Sequence, residues 1–153
     1  MPLGQLKGPF RAVCYNTFVS VPAPEERRSN ILIVDDDEGV TMTFARMLEL
    51  EGYLVRTAKN AEIGLREARA TRPDAIILDL RMPLVDGLGF LRRFRSDDDH
   101  RSVPVTIVTG DYFLDDRVSA EVRALGANLK FKPLWLEDLV GLAKDMLSTK
   151  VTH

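Results

Sequence analysis

Four short apolar runs in this chain lead directly into side chains that can do chemistry. Ile31 to Val34 stops at Asp35, Asp36 and Asp37, and Ala75 to Leu78 stops at Asp79. The run starting at Val105 ends in Thr109, and Leu129 to Phe131 is followed by Lys132. Carboxylates brought within a few ångströms raise one another's pKa unless a cation intervenes. Hard oxygen ligands with no His or Cys among them suit Mg²⁺, which takes carboxylates, phosphate oxygens and water, and argue against zinc. An aspartate can itself attack phosphorus, giving an aspartyl phosphate. Catalysis of that transfer is mostly positioning and charge neutralisation. Lys132 would supply positive charge, Thr109 a hydroxyl donor, and Gly110 the space beside it.

These residues need elements that bring them together. Behind the acidic run, Val40, Phe44, Met47 and Leu48 recur at helical spacing up to Gly52, with Asp37 as the cap. Leu54 to Ala58 reads as a second strand, and Asn60 caps a helix striped by Ala61, Leu65 and Ala68 that Pro73 ends. Ala75 to Leu78 is a continuous apolar run, as in a central strand buried on both faces. The loop Leu80 to Gly87 precedes a helix from about Leu88 to Arg95. Val105 to Thr109 is the fourth strand, and Val118, Val122 and Leu125 line the next helix. Leu129 to Phe131 is a short fifth strand, and Leu136, Leu139, Val140, Ala143, Met146 and Leu147 form the packed stripe of the last helix.

Alternating strands and helices with short connections predict an α/β fold, a doubly wound parallel sheet with helices on both faces. Ligands of such sheets bind outside the carboxyl ends of the strands. Asp35, Asp36, Asp79, Thr109 and Lys132 are thereby expected at one edge. Each has a plain reading alone: Thr109 a strand end, Lys132 a solvated lysine, Asp86-Gly87 a turn. Their joint arrival at one edge makes a site.

The 153 residues suffice for one domain. A net charge of -2 gives no field for nucleic acid or acidic lipid, and no apolar run is long enough to span a bilayer, so neither direct nucleic-acid binding nor membrane insertion is expected. Cys14 is the only cysteine, which excludes an internal disulfide and suits the cytoplasm. His100 and His153 stand apart from any ligand set, and Asp97 to Asp99 lack the glycine and closing glutamate of a calcium loop, so they read as a solvated turn. Residues 1–29, rich in Pro and Gly without a period, read as a flexible leader, 30–148 as the domain and 149–153 as a tail.

The segments ILIVDDDE, IILDLRMPLVDG, VTIVTGD and KFKP closely resemble the bacterial receiver domain of two-component response regulators over roughly residues 30–148. The stretch D-x-x-M-P-x-x-D-G from Asp79 to Gly87 is the most specific part. The resemblance implies a flavodoxin-like strand order 2-1-3-4-5, with Asp79 as phosphoacceptor. It implies Asp36 as a direct Mg²⁺ ligand, Asp35 helping through water, and the carbonyl of Arg81 completing the set. Thr109 would be the switch hydroxyl, Lys132 the phosphate-pairing lysine, and Lys132–Pro133 a cis bond. The implied partner is a sensor histidine kinase or a histidine phosphotransfer protein. Readout and homodimerisation would use the last two helices and the fifth strand, with Trp135 at their edge.

Leu129 stands where the family usually has a switch aromatic, three residues before Lys132, and Phe131 is expected off its parity. Arg81 and Asp111 are expected to flank the phosphate and to pair. A Mg-dependent aspartyl-phosphate phosphatase would want a second acid at position 81, which is Arg81. A degenerate docking module is opposed by the complete set Asp36, Asp79, Thr109 and Lys132. The implied role is signalling rather than enzymatic.

Overall fold

The computed structural model describes residues 27–151. Five strands and five helices alternate: β1 Asn30–Val34, α1 Glu38–Leu50, β2 Leu54–Ala58, α2 Ala61–Thr71, β3 Ala75–Asp79, α3 Gly87–Arg95, β4 Val105–Thr109, α4 Asp116–Ala124, β5 Ala127–Phe131 and α5 Leu136–Val151. All strand pairs are parallel, in the order β2-β1-β3-β4-β5. This is the doubly wound sheet that the pattern predicts. Apart from residues 27–29, the leader reading lies outside the described residues, and α5 continues through residues 149–151.

Strand pleating sends alternate side chains to opposite faces. Leu32, Val34, Ile76, Leu78, Val105 and Ile107 meet Leu65, Ala68, Phe90, Leu91, Phe94 and Val122 of α2, α3 and α4. Ile31, Ile33, Ala75, Ile77 and Val108 meet Phe44 and Leu48 of α1 and Leu139, Leu142, Ala143 and Met146 of α5. Each buried large aliphatic or aromatic side chain contributes about 1.5–3 kcal/mol, so this pairing of two cores fixes the register. The expected stripe of α5 needs one correction. Leu136 is 46% exposed, and Leu142, outside the expected stripe, is buried. The fifth strand also starts earlier than expected, at Ala127.

The caps are local; those of α1 and α2 fall where the sequence places them, while Asp86, read from sequence as turn chemistry, caps α3. The side chains of Asp37, Asn60 and Asp86 accept from the N–H groups of Val40, Ile63 and Gly89, opening α1, α2 and α3. Asp97 caps a short 3-10 turn, Asp98–His100, whose aspartates are exposed, as the solvated-turn reading requires.

Arg95 has a role the sequence did not disclose. It is half-buried and donates to main-chain carbonyls of Leu125 (2.8 Å), His100 (2.6 Å) and Val103 (2.7 Å), which ties the end of α3 to the segments entering β4 and β5. Burial pushes its pKa down. Arg95→Ala is expected to lower unfolding stability by about 3 kcal/mol in urea melts, since it strands several carbonyls at once. Arg95→Lys should recover only part of this, because one ammonium cannot reproduce the planar fork.

Candidate phosphoacceptor and metal site

The register brings the strand ends level. Val34 pairs with Leu78, so Asp35 and Asp79 emerge side by side, and Asp79 pairs with Val108 next to Thr109. The Lys132 N–H donates to the Thr109 carbonyl at 2.8 Å, continuing the ladder one residue past β5. Lys132 Nζ then donates to Asp35 Oδ2 at 3.1 Å and Asp79 Oδ1 at 3.3 Å. The other Asp35 oxygen accepts the Asp37 N–H at 2.9 Å. Asp35 and Asp79 are buried, and Asp36 is exposed beside them.

Burial raises the Asp79 pKa, and the neighbouring Asp35 raises it further; Lys132 offsets this only in part. Burial opposes the charge on Lys132, but Asp35 and then Asp79 overcome it, and its pKa is raised. The edge is thus a buried acid under strain from its neighbours, held by one shared lysine. Ligand oxygens of Asp35, Asp36 and Asp79 lie within 4.8 Å of one another, a spacing able to hold a metal ion. An all-carboxylate donor set of this kind fits a hard divalent cation. Such an ion would add the positive charge that one lysine does not supply.

Thr109 is buried, and its Oγ1 accepts the Asp111 N–H at 3.1 Å. The Arg81 guanidinium pairs with Asp111, as the sequence suggested, and holds that carboxyl below its usual range. Gly87 packs its Cα against the main chain of Asp79 and Leu80, and its N–H donates to the Leu80 carbonyl at 2.8 Å. This is a closer constraint than the turn chemistry read from Asp86-Gly87. The Lys132–Pro133 bond is cis.

Two features correct the reading around β5. Leu129 and Phe131 lie on the same face of the strand, registered against Ile107 and Thr109, so Phe131 has the parity that it was thought to lack. Leu129 itself is packed against the core. The residue missed altogether is Tyr112, in the loop after β4. Its hydroxyl donates to the Lys132 carbonyl, and its ring stacks on Phe131 at 5.4 Å. Only the aromatic pair Tyr112-Phe113 beside Asp111 signals it in sequence.

A parallel doubly wound sheet carrying acids, a hydroxyl and a lysine at its carboxyl edge defines a class of phosphorylation-responsive α/β domains. Residues 31–142 match the response regulator receiver domain, and the chain belongs to that family. It is 39% identical over 117 residues to the transcriptional regulatory protein PrrA of Mycobacterium leprae, covering 76% of this chain and 49% of that one. It is 36% identical over 120 residues to the response regulator MprA of Mycobacterium ulcerans, covering 76% of this chain and 49% of that one. The chain therefore spans about half the length of these relatives.

Among solved structures, the chemotaxis protein CheY4 of Vibrio cholerae superposes with a TM-score of 0.73 at 27% identity, over 79% of this chain and 100% of that chain. A receiver domain of a signal transduction histidine kinase from Syntrophus aciditrophicus gives 0.70 at 31% identity, over 78% of this chain and 90% of that one. This chain is a receiver domain of the two-component response regulators, a signalling domain. Among the described residues no helix is long and apolar enough to cross a membrane.

Proposed function

We propose that Asp79 is the phosphoacceptor of a cytoplasmic phosphorelay, and that its donor is a phosphohistidine on a sensor histidine kinase or phosphotransfer protein. A carboxylate oxygen of Asp79 forms a bond to phosphorus as the P–N bond breaks, and the departing imidazole takes up a proton. Asp35, Asp36, Asp79 and the Arg81 carbonyl would hold Mg²⁺, which when bound neutralises charge on the transferred group. Lys132 pairs with a phosphoryl oxygen, and the Thr109 hydroxyl donates to another. Beyond making and losing its own phosphoryl group the domain turns over no substrate. The changed surface is that of α4, β5 and α5, which also serves homodimerisation. Direct contact with nucleic acid is not part of the proposal, since the net charge is -2. Residues 1–29 act as a leader of the domain, whose last helix runs on through Val151.

The observation supporting this reading is the shared lysine: one Nζ within 3.1 Å of Asp35 and 3.3 Å of Asp79, beside an acid whose pKa is raised. The test is incubation with acetyl phosphate and Mg²⁺ followed by intact mass. One added phosphoryl group is expected, and an unmodified mass would refute the proposal.

Arg81 pairs with Asp111 and lies near enough to Asp79 to feel its charge, and we infer that the pair restricts the water that would attack the phosphoryl group. Arg81→Ala should therefore shorten the phosphoryl lifetime by about fivefold, which corresponds to roughly 1 kcal/mol of barrier. Phosphate release from purified adduct reads this directly, and an unchanged lifetime removes the pair from the mechanism.

A further inference from the structure

We propose that Tyr112 is the switch aromatic of this domain: it clasps β5 while Asp79 is free and releases it when Asp79 carries phosphoryl. The inference rests on the phosphoacceptor reading of Asp79 and names how that site is read out. Leu129, at the usual place for such a ring, is aliphatic, half-buried and packed against the core. Tyr112 instead arrives from the loop after β4, stacked on Phe131, which is registered beside Thr109.

Both ends of the clasp lead to the acceptor. On one side the Tyr112 hydroxyl holds the Lys132 carbonyl, and the same lysine's Nζ bonds Asp35 and Asp79. On the other side the residue before Tyr112, Asp111, gives its N–H to Thr109 Oγ1. A phosphoryl group brings about two negative charges and three acceptor oxygens. The donors within reach are Lys132 Nζ and the Thr109 hydroxyl. Drawing Thr109 toward phosphorus takes the acceptor away from the Asp111 N–H, and drawing Lys132 off Asp35 shifts its main chain.

The strain falls on the clasp's exposed link, the bond from the Tyr112 hydroxyl, a residue 59% exposed as a whole. Gly110 at the root of the loop has open space around it and lets the segment move. Release parts Tyr112 from Phe131 and uncovers the faces of both rings, which already belong to exposed residues. The bound and free states thus present different chemistry to a partner. A bond present in one state only shifts the balance between the two.

The test uses aromatic NOE spectra of the full chain before and after acetyl phosphate with Mg²⁺, with loading read by intact mass. The Tyr112–Phe131 ring contact should be present in the unloaded protein and lost in the loaded one. Tyr112→Phe keeps the ring but deletes the bond that favours the resting state. It should be phosphorylated about fivefold faster, the factor expected of one hydrogen bond of ordinary net strength. Phe131→Leu, which removes the stacking partner, should act in the same direction. A loaded protein that keeps the ring contact, or Tyr112→Phe loading at the wild-type rate, overturns the clasp and leaves Asp79 phosphorylation intact. A wild-type protein that takes no phosphoryl group overturns both.

Discussion

Asp79→Asn is expected to abolish the phosphoryl adduct while making the resting protein more stable. The first effect follows because an amide nitrogen or neutral carbonyl is no nucleophile toward phosphorus at neutral pH. The second follows from the raised pKa of Asp79, whose burial and neighbouring Asp35 disfavour the ionised form. A carboxyl whose folded pKa lies above its unfolded value binds more protons in the folded state between the two values. Stability then falls as pH rises through the folded pKa, and the deficit persists at neutral pH.

The amide carries no such deficit, so Asp79→Asn should gain on the order of 1 kcal/mol at pH 7 without divalent cation. The gain should shrink as pH falls through the raised pKa toward 3.8, the ordinary value. Millimolar Mg²⁺ should raise the wild-type Tm by preferential binding to the folded state, and raise that of Asp79→Asn less. Thermal melts across pH with and without Mg²⁺ check all of this. A variant less stable than wild type at pH 7 would mean that the lysine contact outweighs the repulsion.

Gly87→Ala is expected to be the most damaging single-methyl change near the site. A Cβ there would fall 2.3 Å from the Asp79 carbonyl oxygen and 2.9 Å from the Leu80 Cα. Both atoms are main chain, so no rotamer change relieves the clash, and α3 or the end of β3 must move. The expected loss is about 3 kcal/mol, at the upper end of overpacking costs, with slowed phosphorylation because the displaced residue is the acceptor itself. Gly89→Ala is the control. Its new methyl meets the Val85 Cγ1 at 2.8 Å, a side-chain end able to turn aside, and alanine favours the helix by up to about 1 kcal/mol. Urea midpoints should separate the two variants clearly. Equal midpoints would show that α3 is free to back away from β3.

The strands were legible because their burial leaves unbroken marks. Ala75–Asp79 and Val105–Thr109 are buried at every position and read as central strands without any tertiary knowledge. The acids, Thr109 and Lys132 could be located because strand ends in a parallel sheet share an edge. Charge and turn signals near helix ends gave the caps of α1 and α2 for the same local reason. What escaped the sequence depends on contacts between distant segments. Arg95 sits in the run Arg92-Arg93-Phe94-Arg95, where nothing local sets it apart from its neighbours, and only the folding of two later segments onto it reveals its bonds. Tyr112 meets Phe131 across 19 residues, a pairing that no periodicity encodes. Leu136 has the right spacing for the α5 stripe but is left exposed in the first turn of the helix.

The ion pair between Asp35 and Lys132 joins residues 97 positions apart. During synthesis the amino-terminal acids leave the ribosome well before the lysine that balances them has been made. A growing chain that has reached Asp79 but not Lys132 therefore holds Asp35, Asp36 and Asp79 without the ammonium that pairs with two of them in the finished fold. Contacts between residues so far apart in sequence slow folding. The contact that ties the first strand's acid to Lys132 thus forms only once nearly the whole domain has been made.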